Sequence, residues 1–404
     1  MAPHDGLVHP EEYDIKDSNV ELIGSDIDHK VKYNSAASEP AWNDGQVGVK
    51  PGLLIWRIED FEVVPWPKEK YGQFMDGDSY IILYSYKIGN KNSGEEDEEQ
   101  KLGHDVFFWL GAHTSQDEAG AAAYKTVELD EFLHGAATQH REIQASPSDA
   151  FMELFPRLQI RSGGVRSGFR HVEQDQDQQP GEVVLTLLRV FKHPGSKRDA
   201  VVVHEVPPTW ESLDVEDVFV LDRGDKIFVW QGKNCSPMEK AKAAQVVHDM
   251  TIAKHTEVEV LSQTESRSRM IVDMLGGDKD AAPATEEYRR PRPVGRPAEG
   301  RREKKLFRLS DKSGRLNFGQ VKEGDSISKS DLDGNDVFIL DDAGKAIWVW
   351  QGAGASQAEK TTWLKAAQAY VRQLQGGDDQ AHLTPIAKVI QGHESPAFLR
   401  AISG

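Results

Sequence analysis

The chain carries the same strand-to-helix junction three times. An aromatic run ends in Trp-x-Gly, and a glutamate follows nine positions after the Trp. The copies read FFWLGAHTSQDE (Trp109 to Glu118), FVWQGKNCSPME (Trp230 to Glu239) and WVWQGAGASQAE (Trp350 to Glu359). The Trp residues lie 121 and 120 positions apart, a domain-sized period. Upstream of each copy a carboxylate opens an apolar strand: Asp78 in GDSYIIL, Asp217 in EDVFVLD and Asp336 in NDVFILD. Three equivalent carboxylate pairs suit ion binding or a repeated grip on a partner better than one catalytic centre.

Each glutamate also closes an S-x-x-E capping box, starting at Ser115, Ser236 and Ser356, so a helix is expected directly after each Trp strand. Pro237 falls at a first helical position, where its missing N–H costs nothing. Gly120 and Ala121–Ala123 make the first of these helices thin-walled. A further strand and a short second helix follow, clearest in REIQASPSDAFMELF and KVIQGHESPAFLRAI. The expected fold class is α+β: three tandem domains, each a central mixed β-sheet flanked by one long and one short helix. The expected boundaries are an N-terminal arm over 1–50 and domains over 51–172, 181–276 and 304–404. A Pro-, Gly- and Arg-rich linker occupies 277–303.

At 404 residues the chain has room for three such domains, and its net charge of −18 argues against nucleic acid as a partner. The single cysteine, Cys235, rules out an internal disulfide and fits a reducing compartment. The opening segment has no apolar signal-like core, and the longest apolar runs are strand-length. A soluble, cytoplasmic protein without a transmembrane segment is expected.

An Asp at a strand start and a Glu at a helix start can converge on calcium, which takes six to eight oxygens. A capping-box Glu also serves its own helix without any metal, and the two roles can coexist. DLDGNDVFILDD (Asp331–Asp342) is not an EF-hand loop, because Asp336 stands where that loop needs Gly and a strand follows at once. Metalloprotease, Cys-x-x-Cys, nucleophile-elbow and phosphate-loop patterns are all missing. The repeated Trp residues read as core anchors. Two basic clusters interrupt the acidic chain: Arg157, Arg161, Arg166 and Arg170, then Arg189, Lys192, Lys197 and Arg198. They read either as solvated loops or as a surface for an acidic partner or a phosphoinositide headgroup.

Several segments together resemble gelsolin-type actin-severing and capping proteins, specifically the three-domain severin and fragmin branch. They are LLIWRIEDFEVVPWPKEKYGQFMDGDSYIIL, WLGAHTSQDEAGAAAYKTVELDEFLHG, HREIQ, GGVRSGFRHV and LSDKSGRLNFGQVKEGDSISKSDLDGNDVFIL. The resemblance runs from about Tyr13 to the end. It implies calcium sites built from Gly77, Asp78, Glu118 and the carbonyl of Val165 in the first domain. The second would use the backbone of Glu216 with Asp217 and Glu239, and Glu286 or Glu287 as a further ligand. The third would use the backbone of Asn335 with Asp336 and Glu359. A site shared with actin would use Asp130 and the carbonyls of Gly135 and Ala137.

The resemblance further implies that Tyr124, Glu128 and Glu131 on the first long helix contact actin, Tyr124 standing where the family has an aliphatic residue. The region Arg189–Arg198 would bind the filament side. The expected function is non-enzymatic: a monomeric, calcium-regulated cytoskeletal protein that binds monomeric and filamentous actin, severs filaments and caps barbed ends. Capping or side-binding without severing is the alternative. A hydrolase using the Asp/Glu pairs as acid and base is disfavoured by three equivalent pairs and no nucleophile motif.

Overall fold

The computed structural model describes residues 34–88, 101–165, 185–193, 200–254, 256–277, 303–375 and 384–403. A short helix, α1 (34–38), opens the described chain. Within the polar stretch read as an arm, Ala36, Ala41, Trp42 and Val47 are buried against Trp56, Ile58, Leu129 and Leu133. A few well-placed apolar side chains suffice to seat this segment in the first core, despite its weak overall pattern.

The first repeat then runs β1 (Gly52–Glu59), β2 (Glu62–Pro65), β3 (Gln73–Met75), β4 (Ser79–Lys87), β5 (Leu102–Leu110), α2 (Gln116–Phe132), β6 (Ala137–Ile143), α3 (Asp149–Met152) and β7 (Leu158–Arg161). The second contains β8 (Thr186–Lys192), β9 (Val201–Val206), β10 (Val218–Asp222), β11 (Lys226–Gln231), α4 (Pro237–Lys254), β12 (Glu257–Ser262) and α5 (Arg269–Met274). The third contains β13 (Lys305–Ser310), β14 (Asn317–Glu323), β15 (Val337–Asp341), β16 (Ile347–Gln351), α6 (Gln357–Gln375), β17 (Ile386–Ile390) and α7 (Pro396–Ile402).

One wiring recurs. The strand that follows the repeated Asp (β4, β10, β15) pairs antiparallel with the first strand of its repeat and with the Trp strand. The Trp strand pairs parallel with the strand after the long helix. A parallel pair needs a crossover, and the long helix supplies it. Each long helix starts as its sequence dictates: Ser115, Ser236 and Ser356 accept from the amides of Glu118, Glu239 and Glu359. The glutamates accept in return from the serine amides. The long helix covers one sheet face; the short helix covers the other, where Trp109, Trp230 and Trp350 are all buried.

The glycine of Trp-x-Gly is there because another backbone passes against it. A Cβ on Gly111, Gly232 or Gly352 would sit 2.3 Å from the carbonyl oxygen of Asp76, Val215 or Gly334. The same glycines donate their N–H to the carbonyls of Asp78, Asp217 and Asp336, at 3.0, 3.0 and 3.1 Å. The motif therefore clamps the loop that carries each site aspartate.

The sheets do not stop at repeat boundaries. Strand β17 of the third repeat pairs antiparallel with β6 of the first, Ala387 opposite His140, and joins both into one ten-stranded sheet. The second sheet, of seven strands, takes in β7 and β3 from the first repeat. Strand β7 enters parallel to β9, with Leu158 opposite Val202.

Candidate functional site

The strand register places an arginine beside every repeated aspartate. Arg57, Arg189 and Arg308 lie opposite Tyr80, Phe219 and Phe338, each two residues beyond the site Asp. Asp78 and Asp336 are fully buried and Asp217 nearly so, and each receives its arginine. The matching basic position within IWRIE, LLRVF and LFRLS was the signal available in the sequence. It is easily passed over, because one charge in an apolar strand reads as a solvent-facing residue.

In the first repeat Asp78 Oδ1 accepts from the amide of Val165 at 2.8 Å. Its Oδ2 accepts from Tyr80 Oη at 3.2 Å and Arg57 Nη1 at 3.3 Å. Gly77 donates to the carbonyl of Gly163 at 2.8 Å. The loop closes so tightly that a Cβ on Gly164 would lie 2.5 Å from Asp78 Oδ1. Glu118 Oε2 accepts from Thr114 at 2.9 Å, whereas its Oε1 is buried with no hydrogen-bond partner. Burial pushes both carboxyls above their ordinary range, and for Glu118 the nearby Asp78 adds to the rise. Gly77, Asp78, Glu118 and Val165 are thus brought together, with one carboxylate oxygen unsatisfied.

In the second repeat Arg189 Nε donates to Asp217 Oδ2 at 2.6 Å and its Nη2 reaches Asp214 at 3.5 Å. Burial pushes Asp217 up to about 6; Arg189 opposes this, while Asp214 and Glu239 add to it. Glu239 accepts from the amides of Lys192 and Ser236, at 2.8 and 2.7 Å. Glu216 holds Asn234 at 2.7 Å.

In the third repeat Asp336 Oδ2 takes Arg308 and also Lys312 Nζ, the latter at 3.1 Å. Its Oδ1 has no hydrogen-bond partner. Burial works against its charge, but hydrogen bonds from Ser310, Lys312 and Arg308 prevail and hold the carboxyl below its ordinary range. Glu359 accepts from the amides of Asp311 and Ser356, at 2.9 and 3.0 Å, and burial raises it. Asn335 turns back on Asp333 through its side chain at 2.9 Å. Among the described residues, no cluster of three or more His, Cys, Asp or Glu forms a ready metal cage. Each repeat brings one aspartate and one glutamate of the expected set to the start of its long helix.

Asp130 lies elsewhere, buried near the C-terminal end of α2. Its Oδ1 accepts from the amide of Ala137 at 2.9 Å and its Oδ2 from the Gln139 side chain. The Gly135 amide donates to the Asp130 carbonyl at 2.8 Å. Burial raises this carboxyl, and Lys388 from β17 opposes the rise. In this arrangement the group sits at the seam between the first and third repeats.

On α2, Tyr124 is 54 % exposed and shares an open groove with Phe61, Gly120 and Ala121. Glu128, expected on the same outer stripe, is only 1 % exposed. It receives Ser35 and an ion pair from Lys125 at 2.6 Å beneath the arm. Glu131 is half-buried. No sequence motif marks Phe61; its positive φ of 68° at the β1–β2 turn is a feature only a folded chain displays.

The basic clusters divide. Arg189 is inside the second carboxylate group, and Lys192 is exposed. Arg157 pairs with Asp249 on α4, and Arg161 pairs with Glu205 on β9 at 2.8 Å. Both therefore tie the first repeat to the second. Arg166, Arg170, Lys197, Arg198, Glu286 and Glu287 lie outside the described residues. No described helix is long and apolar enough to cross a membrane.

The family model for the gelsolin repeat matches residues 60–152, 199–271 and 320–399. Gelsolin-like protein 1 of Lumbricus terrestris is 38 % identical over 98 % of this chain and 99 % of its own length. Severin of Echinococcus granulosus is 34 % identical over 98 % and 99 %. Gelsolin of Drosophila melanogaster is 35 % identical over 87 % of this chain but 42 % of its own length. With three matched repeats and full-length relatives of the same size, the chain belongs to the gelsolin/villin superfamily as a three-domain, severin-like member.

Proposed function

We propose that this chain is a calcium-regulated actin-binding protein of the cytoplasm and cytoskeleton that severs filaments, caps their barbed ends and catalyses no reaction. The observation that carries this reading is the threefold Asp–Glu pair in a chain that matches a severin along its whole length. The buried Glu118 Oε1, which has no hydrogen-bond partner, fits the role of a cation ligand. The glycine-lined loop over Asp78 fits it too. Gly77, Asp78, Glu118 and Val165 would hold the first ion. Glu216, Asp217 and Glu239 would hold the second, and Asn335, Asp336 and Glu359 the third. Bound calcium would neutralise paired carboxylates whose burial otherwise disfavours their charge.

The exposed groove beside Phe61 and Tyr124 is the face we assign to actin. Helix α2 begins at the Glu118 pair and ends near Asp130 at the seam with β17, a span of about 25 Å at 1.5 Å per residue. A rigid element anchored at both places can pass a shift at one to the other. Opening the β6–β17 seam would release Asp130, Gly135 and Ala137 for a shared site on actin. Calcium regulation is then a population shift between the joined and separated arrangements. Severing needs no hydrolysis, since contacts made by α2 and the groove beside it replace those lost between actin subunits.

Single-filament fluorescence microscopy tests the reading. Breaks along filaments in calcium but not in chelator, followed by barbed ends that do not regrow, are expected. Blocked ends on unbroken filaments would reduce the function to capping. Filaments that neither break nor stop growing would overturn it.

A further inference from the structure

The three carboxylate pairs are not equally guarded by positive charge. Arg57 spends most of its guanidinium elsewhere: Nε donates to Glu59 at 2.7 Å, and the group lies over the Trp66 ring at 4.8 Å. Its approach to Asp78 is the long one, 3.3 Å. Arg189 is committed to Asp217 at 2.6 Å. Asp336 faces two cations, Arg308 and Lys312, which converge on the same oxygen, and both also reach Asp333.

We propose that these side chains are resident competitors for calcium, so that the first repeat binds the ion most tightly and the third most weakly. This rests on the calcium reading above. An incoming cation needs the aspartate oxygen and meets whatever positive charge already holds it. Repulsion between like charges within about 4 Å is substantial near a protein surface. One loosely held guanidinium is easily shared away to Glu59. A guanidinium and an ammonium on one oxygen must both withdraw, or both remain and repel the ion. The capping bonds recur in all three repeats, and Glu239 and Glu359 also accept from the amides of Lys192 and Asp311 while Glu118 Oε1 stays free of a hydrogen bond, so the glutamate side also favours the first repeat.

Lys312 gives the cleanest test because its side chain is 53 % exposed and reaches the site only through its ammonium, which pairs with Asp333 and Asp336. The full-length chain carrying Asp78→Asn and Asp217→Asn reports the third site alone by calorimetric calcium titration. Adding Lys312→Met is expected to tighten that site about three- to tenfold, on the scale of one partly exposed ion pair. Arg308→Gln should tighten it further. As a comparison that does not depend on the triple variant, Lys312→Met in the otherwise native chain should raise only the weakest of its affinities.

Unchanged or weaker calcium binding after Lys312→Met, with the native chain still binding calcium, overturns the competition while leaving the calcium reading intact. A third site that binds more tightly than the first overturns it as well. A native chain that takes up no calcium sinks the calcium reading, and this proposal with it.

Discussion

Trp42 meets Trp56 edge-on, with ring centroids 5.0 Å apart and planes at 88°. One residue comes from a polar segment without clear periodicity and the other from the first strand, and both are buried. Aromatic pairs in this geometry add to the apolar area they bury. Trp42→Ala should destabilise the first repeat by about 3–5 kcal/mol, the range for emptying a large core position. Urea unfolding followed by Trp fluorescence would measure it. A change under 1 kcal/mol would mean that residues 34–50 lie on the core without being part of it.

Gly232 shows what the Trp-x-Gly motif is for. A methyl at this position would press on the Val215 carbonyl and disturb the loop that presents Asp217. Gly232→Ala is expected to cost about 1–3 kcal/mol, as overpacking does. The same change at Gly224, which has open space but a positive φ of 89°, separates collision from backbone strain. If both variants unfold at the same midpoint, close approach is not the reason for the motif.

Glu142 on β6 is completely buried, and burial pushes its carboxyl up to about 7. The Ser148 amide and hydroxyl, each at 2.7 Å, pull it back. A carboxyl whose folded pKa exceeds its unfolded value favours folding below the unfolded pKa. That contribution disappears as pH rises through the folded value. The loss between about pH 4.5 and 7 amounts to roughly 3 kcal/mol at most, at 1.36 kcal/mol per pKa unit. Glu142→Gln should flatten this part of the stability–pH curve and raise the melting temperature at pH 8. A curve parallel to that of the native chain would show that Glu142 does not titrate there.

The seam between β6 and β17 rests on a short stretch, Ile386 opposite Arg141 to Lys388 opposite Gln139. Trp348 adds an edge contact to His140 at 5.7 Å, and Arg400 pairs with Glu153 at 3.3 Å. Lys388→Pro removes a backbone donor from an interior strand and should separate the first and third repeats. Solution scattering in chelator would show a larger radius of gyration than the native chain. An unchanged radius would mean that the domains are held together elsewhere. The exposed Arg400–Glu153 pair should matter little, within about 1 kcal/mol.

The repeat, the capping boxes, the Trp anchors and the acidic members of each pair could all be read from the chain. Each depends on residues close together in sequence, whose side chains answer to the period of a strand or to the first turn of a helix. The arginines beside Asp78, Asp217 and Asp336 were harder to see. They stand 21, 28 and 28 positions from their partners, and only strand register shows that the matching basic position in each first strand faces the site aspartate.

Amino-acid order by itself determined three α+β repeats and where each would place an Asp and a Glu. Only the tertiary structure decided that β17 joins β6, that β3 and β7 complete the second sheet, and that Glu128 lies under the arm while Tyr124 faces out. Strand edges carry the same backbone donors and acceptors whatever their side chains. Which edge meets which is therefore settled by packing between distant segments, such as Glu153 and Arg400, 247 residues apart.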